Sequence, residues 1–303
     1  MCRVLDPAGR RGIAEVPLER ERRIAADHVG AELNRVLDGS DSAQEIFELI
    51  RPEFVSSLML SDYGRRVWEK PRGYAGDWET IEMMYRNQPR GIGRAGRVID
   101  GGLLRLPTVK AARNRRSLLA EQILRAGSPG ATRIASLACG PAREIVDVIN
   151  TSPDHLAEIN LLDIDDTAID NAREVMTSHG MTERTRFHRS NLIKLALGRE
   201  DLHLEDQDLV YSVGLIDYFP DDLVVALLNA VHPWLRPGGM VILGNFHPDN
   251  QVRGIMELVE WSLVHRSEDD MHRLFTTSLF GSPCQEILWE EEGINLFAVG
   301  VRR

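Results

Sequence analysis

Two hydrophobic periods divide the chain. From about Pro17 to Leu37, and again from Ser42 to Tyr63, apolar residues recur at helical spacing among many charges, which predicts amphipathic helices packed on something larger. Beyond about residue 110 the pattern changes to short apolar runs alternating with helical stretches. It predicts a helix over 111–126, a strand over Arg133–Ala138, a helix from Ala142, a strand over Ile159–Asp163 and a helix over 166–178. A short strand near Arg186–His188, a strand over Asp208–Val213, a helix over 221–235 and a strand over Met240–Gly244 follow, then a helix from about Arg253 to His265. Gln285–Trp289 and Phe297–Val301, around Glu-Glu-Glu-Gly, read as an antiparallel hairpin.

Strands alternating with helices specify a parallel sheet covered on both faces. The expected fold is therefore α/β, a doubly wound Rossmann-like sheet of seven strands whose antiparallel hairpin sits at one edge, preceded by a helical cap. Lys70-Pro-Arg-Gly-Tyr-Ala-Gly-Asp77 reads as an ordered loop entering a helix through Asp77 and Trp78, and the glycine- and proline-rich stretch 89–107 as a crossing between regions. The expected division is a cap over 1–110 that helps to close the active site and a ligand-binding domain over 111–303.

Composition narrows the classes. A chain of 303 residues, 43% hydrophobic, buries a substantial core. Its formal net charge of -10 argues against a nucleic-acid binder, which needs a positive field. Cys2, Cys139 and Cys284 show no spacing for zinc or for a disulfide framework, so a reduced cytoplasm fits and no metal is expected. No apolar run approaches a membrane span, so no membrane partner is expected either.

The first strand of the main domain ends in Leu137-Ala-Cys-Gly-Pro-Ala-Arg-Glu144, a tight turn where Gly140 permits close backbone approach at the start of a helix. A dinucleotide site needs three glycines to seat a pyrophosphate, and this loop keeps one. S-adenosylmethionine carries no phosphate; its ribose diol calls for a carboxylate at the end of the next strand, where Asp163 stands, with helix capping as the alternative. Ser190 and Asn191, after the third strand, are placed to read an adenine edge or simply to make a turn. The fourth strand runs into Tyr211-Ser-Val-Gly-Leu-Ile-Asp-Tyr-Phe219, and Arg236-Pro-Gly-Gly239 turns into the fifth.

In this order the segments resemble the class I methyltransferases over about residues 110–303. The resemblance implies S-adenosylmethionine as cofactor, with Ala138 and Gly140 beside its methionyl part, Asp163 on the ribose, Asn191 at the adenine, and Ser212 and Gly214 near the transferable methyl. Cys139-Gly140-Pro141-Ala142 departs from the fuller glycine pattern. Lys70–Asp77, Tyr85-Arg-Asn-Gln88 and Arg113-Asn-Arg-Arg116 further resemble a bacterial subgroup that includes enzymes making the extracellular-factor hydroxy-fatty-acid methyl ester and relatives acting on small metabolites.

Acceptor candidates line the carboxyl edge of the strands. Tyr74 is placed to close over the cofactor or to pack within its loop. Asp217 and Tyr218 follow the fourth strand, where Asp217 faces the methyl or caps the next helix. Asn245 and His247 follow the fifth strand. Glu257, Trp261 and His265, at i, i+4 and i+8, would stack on one face of the Arg253–His265 helix with Glu260 nearby, either at the acceptor or against the core. Asp217, Glu257 and His247 are the expected acid–base groups; Tyr218, Asn245, Glu260, Trp261 and His265 are expected to bind the acceptor. Carboxylates among aromatic rings suit a cation, so an amine or guanidino metabolite is the expected acceptor. The alternative, implied by the subgroup, is a carboxylic acid held by Arg72, Arg113 or Arg116. A non-catalytic cofactor-binding regulator is the rival of another class, and self-association into a homodimer through the cap is an open expectation.

Overall fold

The computed structural model describes residues 4–5, 11–12, 29–39 and 42–303. The part of the expected Pro17–Leu37 helix before residue 29 lies outside them. The chain forms two compact units that are interleaved in sequence rather than divided at residue 110. The smaller comprises Met1–Glu69, Gln88–Val109 and Gln251–Trp261; the larger comprises Lys70–Asn87, Lys110–Asn250 and Ser262–Arg303.

The larger unit is built on a seven-stranded sheet: β1 (Thr132–Leu137), β2 (Leu156–Asp163), β3 (Thr185–Arg189), β4 (Gln207–Val213), β5 (Leu235–Phe246), β6 (Glu286–Trp289) and β7 (Asn295–Val301). The spatial order is β3-β2-β1-β4-β5-β7-β6. Strands β1 to β5 are parallel, and β7 pairs antiparallel with β5 and β6. The chain starts in the middle, winds outward through β2 and β3, then returns to β4 beside β1. Ligands of such sheets bind where the winding reverses, between β1 and β4 at their carboxyl ends.

Alternate side chains of each strand enter two cores. Ile134, Ile159, Leu161, Leu209 and Ile242 face Leu119, Ile123 and Ile145 on one side. Ala135, Leu162, Val210 and Leu243 face Val224, Leu227, Leu274 and Phe275 on the other. Burial on both faces is why these strands read as mainly apolar runs, with Ser136 and Asn160 among the buried polar exceptions. The acidic hairpin turn is ordered: buried Glu290 accepts the N–H groups of Glu292 (2.7 Å), Ile294 (2.8 Å) and Asn295 (3.1 Å).

The helices are α1 (29–39), α2 (Ala43–Leu58), α3 (Asp62–Glu69), α4 (Trp78–Arg86), α5 (Gly93–Leu103), α6 (Pro107–Arg125), α7 (Arg143–Thr151), α8 (Asp166–Ser178), α9 (Leu192–Ala196), α10 (Asp221–Val231), α11 (Arg253–Leu258) and α12 (Glu268–Thr277). In the smaller unit Leu33, Phe47, Val252, Ile255 and Leu258 share a core.

Two expectations fail there. The 89–107 stretch is not a crossing but contains α5, and its glycines permit contact rather than flexibility. A Cβ on Gly91 or Gly96 would lie 2.4 Å or 2.2 Å from the Leu60 carbonyl oxygen. The Arg253–His265 helix stops at Leu258. Glu260 takes a left-handed conformation (φ +56°) and the Trp261 N–H donates back to Met256 O at 2.8 Å, a reversal that closes the helix end. Glu257, Trp261 and His265 therefore share no helical face. Helix α12, unanticipated, starts at a capping box in which Ser267 and Asp270 satisfy each other's backbone N–H.

Candidate active site

The site lies within the larger unit, at the carboxyl edge of β2, β1 and β4. The loop after β1 places Ala138, Gly140 and Ala142 at φ +53°, +51° and +49°, an alternation that costs strain at the two alanines. It aims the Gly140 N–H at Asp163 Oδ2 (3.0 Å), while Asp163 Oδ1 accepts the Asp165 N–H (3.0 Å). Capping of α8 falls to Asp165, whose carboxylate accepts the Thr167 N–H at 2.9 Å. Asp163 is thus relieved of that duty. Burial raises its carboxyl, with the charge of Asp165 adding to it, against the amide bonds from Asp165, Gly140 and Ile164. A Cβ on Gly140 would meet only Trp78 Cβ, at 4.0 Å, so the loop is open on that side.

Residues 70–87 cover this edge. Gly73 and Gly76 take φ +82° and +76°, which glycine adopts without penalty. Asp77 caps α4 by accepting the Thr80 N–H (2.9 Å). Helix α4 is held to α7 because Arg143 donates to both oxygens of Glu82 at 2.8 Å and 2.7 Å. Burial opposes ionisation of Glu82, but the bonds from Arg143 and Arg86 prevail and hold its carboxyl below the usual range. Trp78 Nε1 donates to Thr167 Oγ1 (2.9 Å), and Arg72 donates to Glu79 (2.9 Å) and lies 3.3 Å from Asp165. Tyr74 remains 40% exposed. Its phenol is raised by burial and then by the charges of Asp163, Asp165 and Asp77, so it stays protonated beside Asp163. The Tyr218 hydroxyl donates to Ala75 O at 3.0 Å, joining this cover to the loop after β4.

Beyond β4, Gly214 (φ +81°) lies against Arg115: a Cβ there would sit 3.2 Å from Nη1. Asp217 is 1% exposed and accepts the Phe246 N–H at 2.8 Å. Burial pushes its carboxyl up to about 6, moderated by that amide and by the charges of Arg115 and Arg266. Arg266, also buried, donates to Ile216 O (2.9 Å), Phe219 O (2.6 Å), Asn245 Oδ1 (2.9 Å) and Asp221 (3.0 Å), fastening the loops after β4 and β5.

Several expected side chains have other occupations. Asn191 Oδ1 caps α9 through the Ile193 and Lys194 N–H groups, both at 3.1 Å. Ser212 Oγ donates to Leu137 O (3.0 Å). The Asn245 amide bonds Phe246 O, Val264 O and Arg266. His247 packs edge-on to Trp289 and lies 3.3 Å from Glu268; His265 pairs with Asn250 (3.2 Å) and Leu263 O (3.1 Å). Ser190 Oγ, in a residue 2% exposed, has no hydrogen-bond partner. Glu257, Glu260 and Trp261 belong to the smaller unit, where Glu260 pairs with Arg51 at 3.3 Å. The sequence reading gives no sign of the Glu82–Arg143 tie; it places Trp78 only at a helix start and Arg115 only within the Arg113-Asn-Arg-Arg116 cluster.

A family model described as "Putative methyltransferase" matches residues 64–301, which contain the whole of this site. The chain belongs to this methyltransferase family. The chain is 26% identical over 243 residues to YnbC, an uncharacterised protein of Escherichia coli strain K12, with 74% of this chain covered; the match spans 40% of that relative's length. Its structure is similar to the crystal structure of a possible exported protein from Bordetella parapertussis, with 19% identity, 99% of each chain covered and a TM-score of 0.67. This likeness establishes the fold. Among the described residues, the chain has no helix long and apolar enough to cross a membrane and no cluster of three or more potential metal ligands.

Proposed function

We propose that this methyltransferase takes its methyl group from S-adenosylmethionine and delivers it to a nitrogen of a small amine or guanidino acceptor. Asp163 carries the cofactor reading. Its oxygens accept backbone N–H groups from the protein side, Oδ2 that of Gly140 and Oδ1 that of Asp165, and the carboxylate keeps acceptor capacity for the O–H donors of a ribose diol. The open face of Gly140 leaves room for the cofactor, and alanines at the left-handed positions beside it disfavour a pyrophosphate.

When bound, the cofactor supplies a methyl group activated by the sulfonium. The chain positions and deprotonates. Tyr74, held protonated, is a donor beside Asp163, and residues 70–87 exclude water from that edge. Asp217, with a carboxyl titrating at about 6, is ionised at neutral pH and suited to accept a proton from an acceptor ammonium or guanidinium.

A carboxylic-acid acceptor, as in the extracellular-factor subgroup, would call on Arg72, Arg113 or Arg116. Arg72 is engaged by Glu79 and Asp165, Arg116 by Asp147 at 2.5 Å, and Arg113 donates to Met84 O at 3.4 Å. The nitrogen acceptor is preferred for that reason. Glu257, Glu260, Trp261 and His247 remain acceptor-side proposals, to be tested through Glu257→Gln, Glu260→Gln, Trp261→Ala and His247→Asn.

The test is calorimetric titration with S-adenosylmethionine, S-adenosylhomocysteine and NAD, followed by methyl transfer to panels of amines, guanidines and carboxylic acids. Tight binding of the adenosyl pair and methylation of a nitrogen are expected. Binding of NAD alone would overturn the cofactor; methyl esters formed on acids would overturn the acceptor; tight binding without transfer to any panel would favour a regulator.

A further inference from the structure

Helix α6 carries a buried cation that the proposed chemistry has not used. Arg115 is 7% exposed. Its guanidinium lies beside the Tyr85 hydroxyl, a neutral group, but its Nε has no hydrogen-bond partner, and among the described residues no carboxylate oxygen lies within 4.0 Å of it. A guanidinium withdrawn from water is costly unless an anion meets it. The nearby acids do not serve. Glu144 accepts the Tyr211 hydroxyl (2.8 Å) and Asp217 the Phe246 N–H, and burial holds both carboxyls above their usual range although Arg115 acts against it. In the same cluster, by contrast, Arg116 is paired with both oxygens of Asp147 and stacked over Tyr85 at 5.5 Å.

The guanidinium faces the ligand edge of the sheet. At Gly214, the residue after β4, an added Cβ would stand 3.2, 3.6 and 3.8 Å from Nη1, Nη2 and Cζ. Any other residue there would cover the guanidinium, so glycine keeps it accessible. Asp163 ends β2, the Gly140 loop ends β1, and Gly214 follows β4, the next strand across. The span from β2 to β4 is two strand spacings, roughly 10 Å. A ligand with its ribose on Asp163 that crosses the Gly140 loop brings its other end to Gly214.

We infer that Arg115 binds the amino-acid carboxylate of S-adenosylmethionine, its planar fork meeting the carboxylate at the Gly214 edge. This rests on the cofactor reading above. Arg115 then orients the methyl donor rather than the acceptor.

The experiment titrates the full chain, wild type, Arg115→Met and Arg115→Lys, with S-adenosylhomocysteine and with 5′-methylthioadenosine, which keeps the nucleoside and sulfur but lacks the amino-acid end. Wild type is expected to prefer S-adenosylhomocysteine. In Arg115→Met that affinity falls about tenfold or more, toward that of methylthioadenosine, whose own affinity stays unchanged; Arg115→Lys lies between. Equal losses for both ligands would show that Arg115 only supports the fold, and an unchanged S-adenosylhomocysteine affinity would remove the contact; either overturns the inference. Should Arg115→Met not fold, wild type titrated with the carboxamide of S-adenosylhomocysteine decides: a weaker amide supports the inference, an equal one overturns it. Wild type that binds none of the adenosyl compounds overturns the cofactor reading itself, an outcome distinct from the others.

Discussion

Replacing Asp217 by asparagine removes a carboxyl group that burial displaces from 3.8 up to about 6. That displacement corresponds to about 3 kcal/mol of preference of the folded state for the protonated form. Because the folded value lies above the unfolded one, the stability from this group is fully present below about pH 3.8 and is lost as pH rises through about 6. Asparagine keeps an oxygen to accept the Phe246 N–H, now at 2.8 Å, so the local bond survives. The stability of Asp217→Asn relative to wild type should therefore rise by about 2.4 kcal/mol between pH 4 and pH 7.5, levelling off above pH 6. Asp163 and Glu144, which burial also raises, are present in both proteins and cancel in the difference. Urea denaturation followed by tryptophan fluorescence across this range supplies the measurement. A stability difference that stays constant with pH would refute the claim that Asp217 is buried as a reluctant acid, and with it the proton-accepting role near neutrality.

Asp163→Ala removes both ribose acceptors and should weaken S-adenosylhomocysteine binding by about tenfold or more in calorimetry; affinity within twofold of wild type would displace the ribose from this residue. Arg266→Met strips one buried donor set from four acceptors and should lower stability by about 3–5 kcal/mol in urea titration, with equal midpoints counting against its fastening role. Gly96→Ala forces a Cβ to within 2.2 Å of the Leu60 carbonyl oxygen, so hydrogen exchange should quicken in α5 relative to the sheet; unchanged protection there would mean that the contact relaxes freely.

Much of the larger unit was legible because its physics is local. A parallel strand buried on both faces must be mainly apolar, as Ile134, Ala135, Leu137, Leu209 and Val210 are, with Ser136 the buried polar exception, and the helices between strands must carry one apolar stripe. The turn at Gly140 and the acid at the end of the next strand follow from that order, since parallel winding brings consecutive strand ends to one edge. Here sequence order and spatial neighbourhood coincide. In the smaller unit they do not: α11 packs with α1 and α2 across some two hundred residues, and nothing in its periodicity announces that.

What chain order by itself determined was the alternation of elements, the sheet and the position of the Gly140 loop with Asp163, because each depends on spacing along one or two neighbouring elements. The tertiary structure alone decided which polar side chains are free to act. The Asn191 side-chain oxygen caps α9 and the Asn245 amide bonds the Phe246 and Val264 carbonyls, because helix-end N–H groups and buried C=O groups must find partners and the nearest amide supplies them. Arg115 looks in sequence like its neighbour Arg116; only packing withdraws the first from water without a carboxylate and gives the second to Asp147. Burial and pairing depend on residues far apart in the chain, so the charge left for a ligand is a property of the folded molecule.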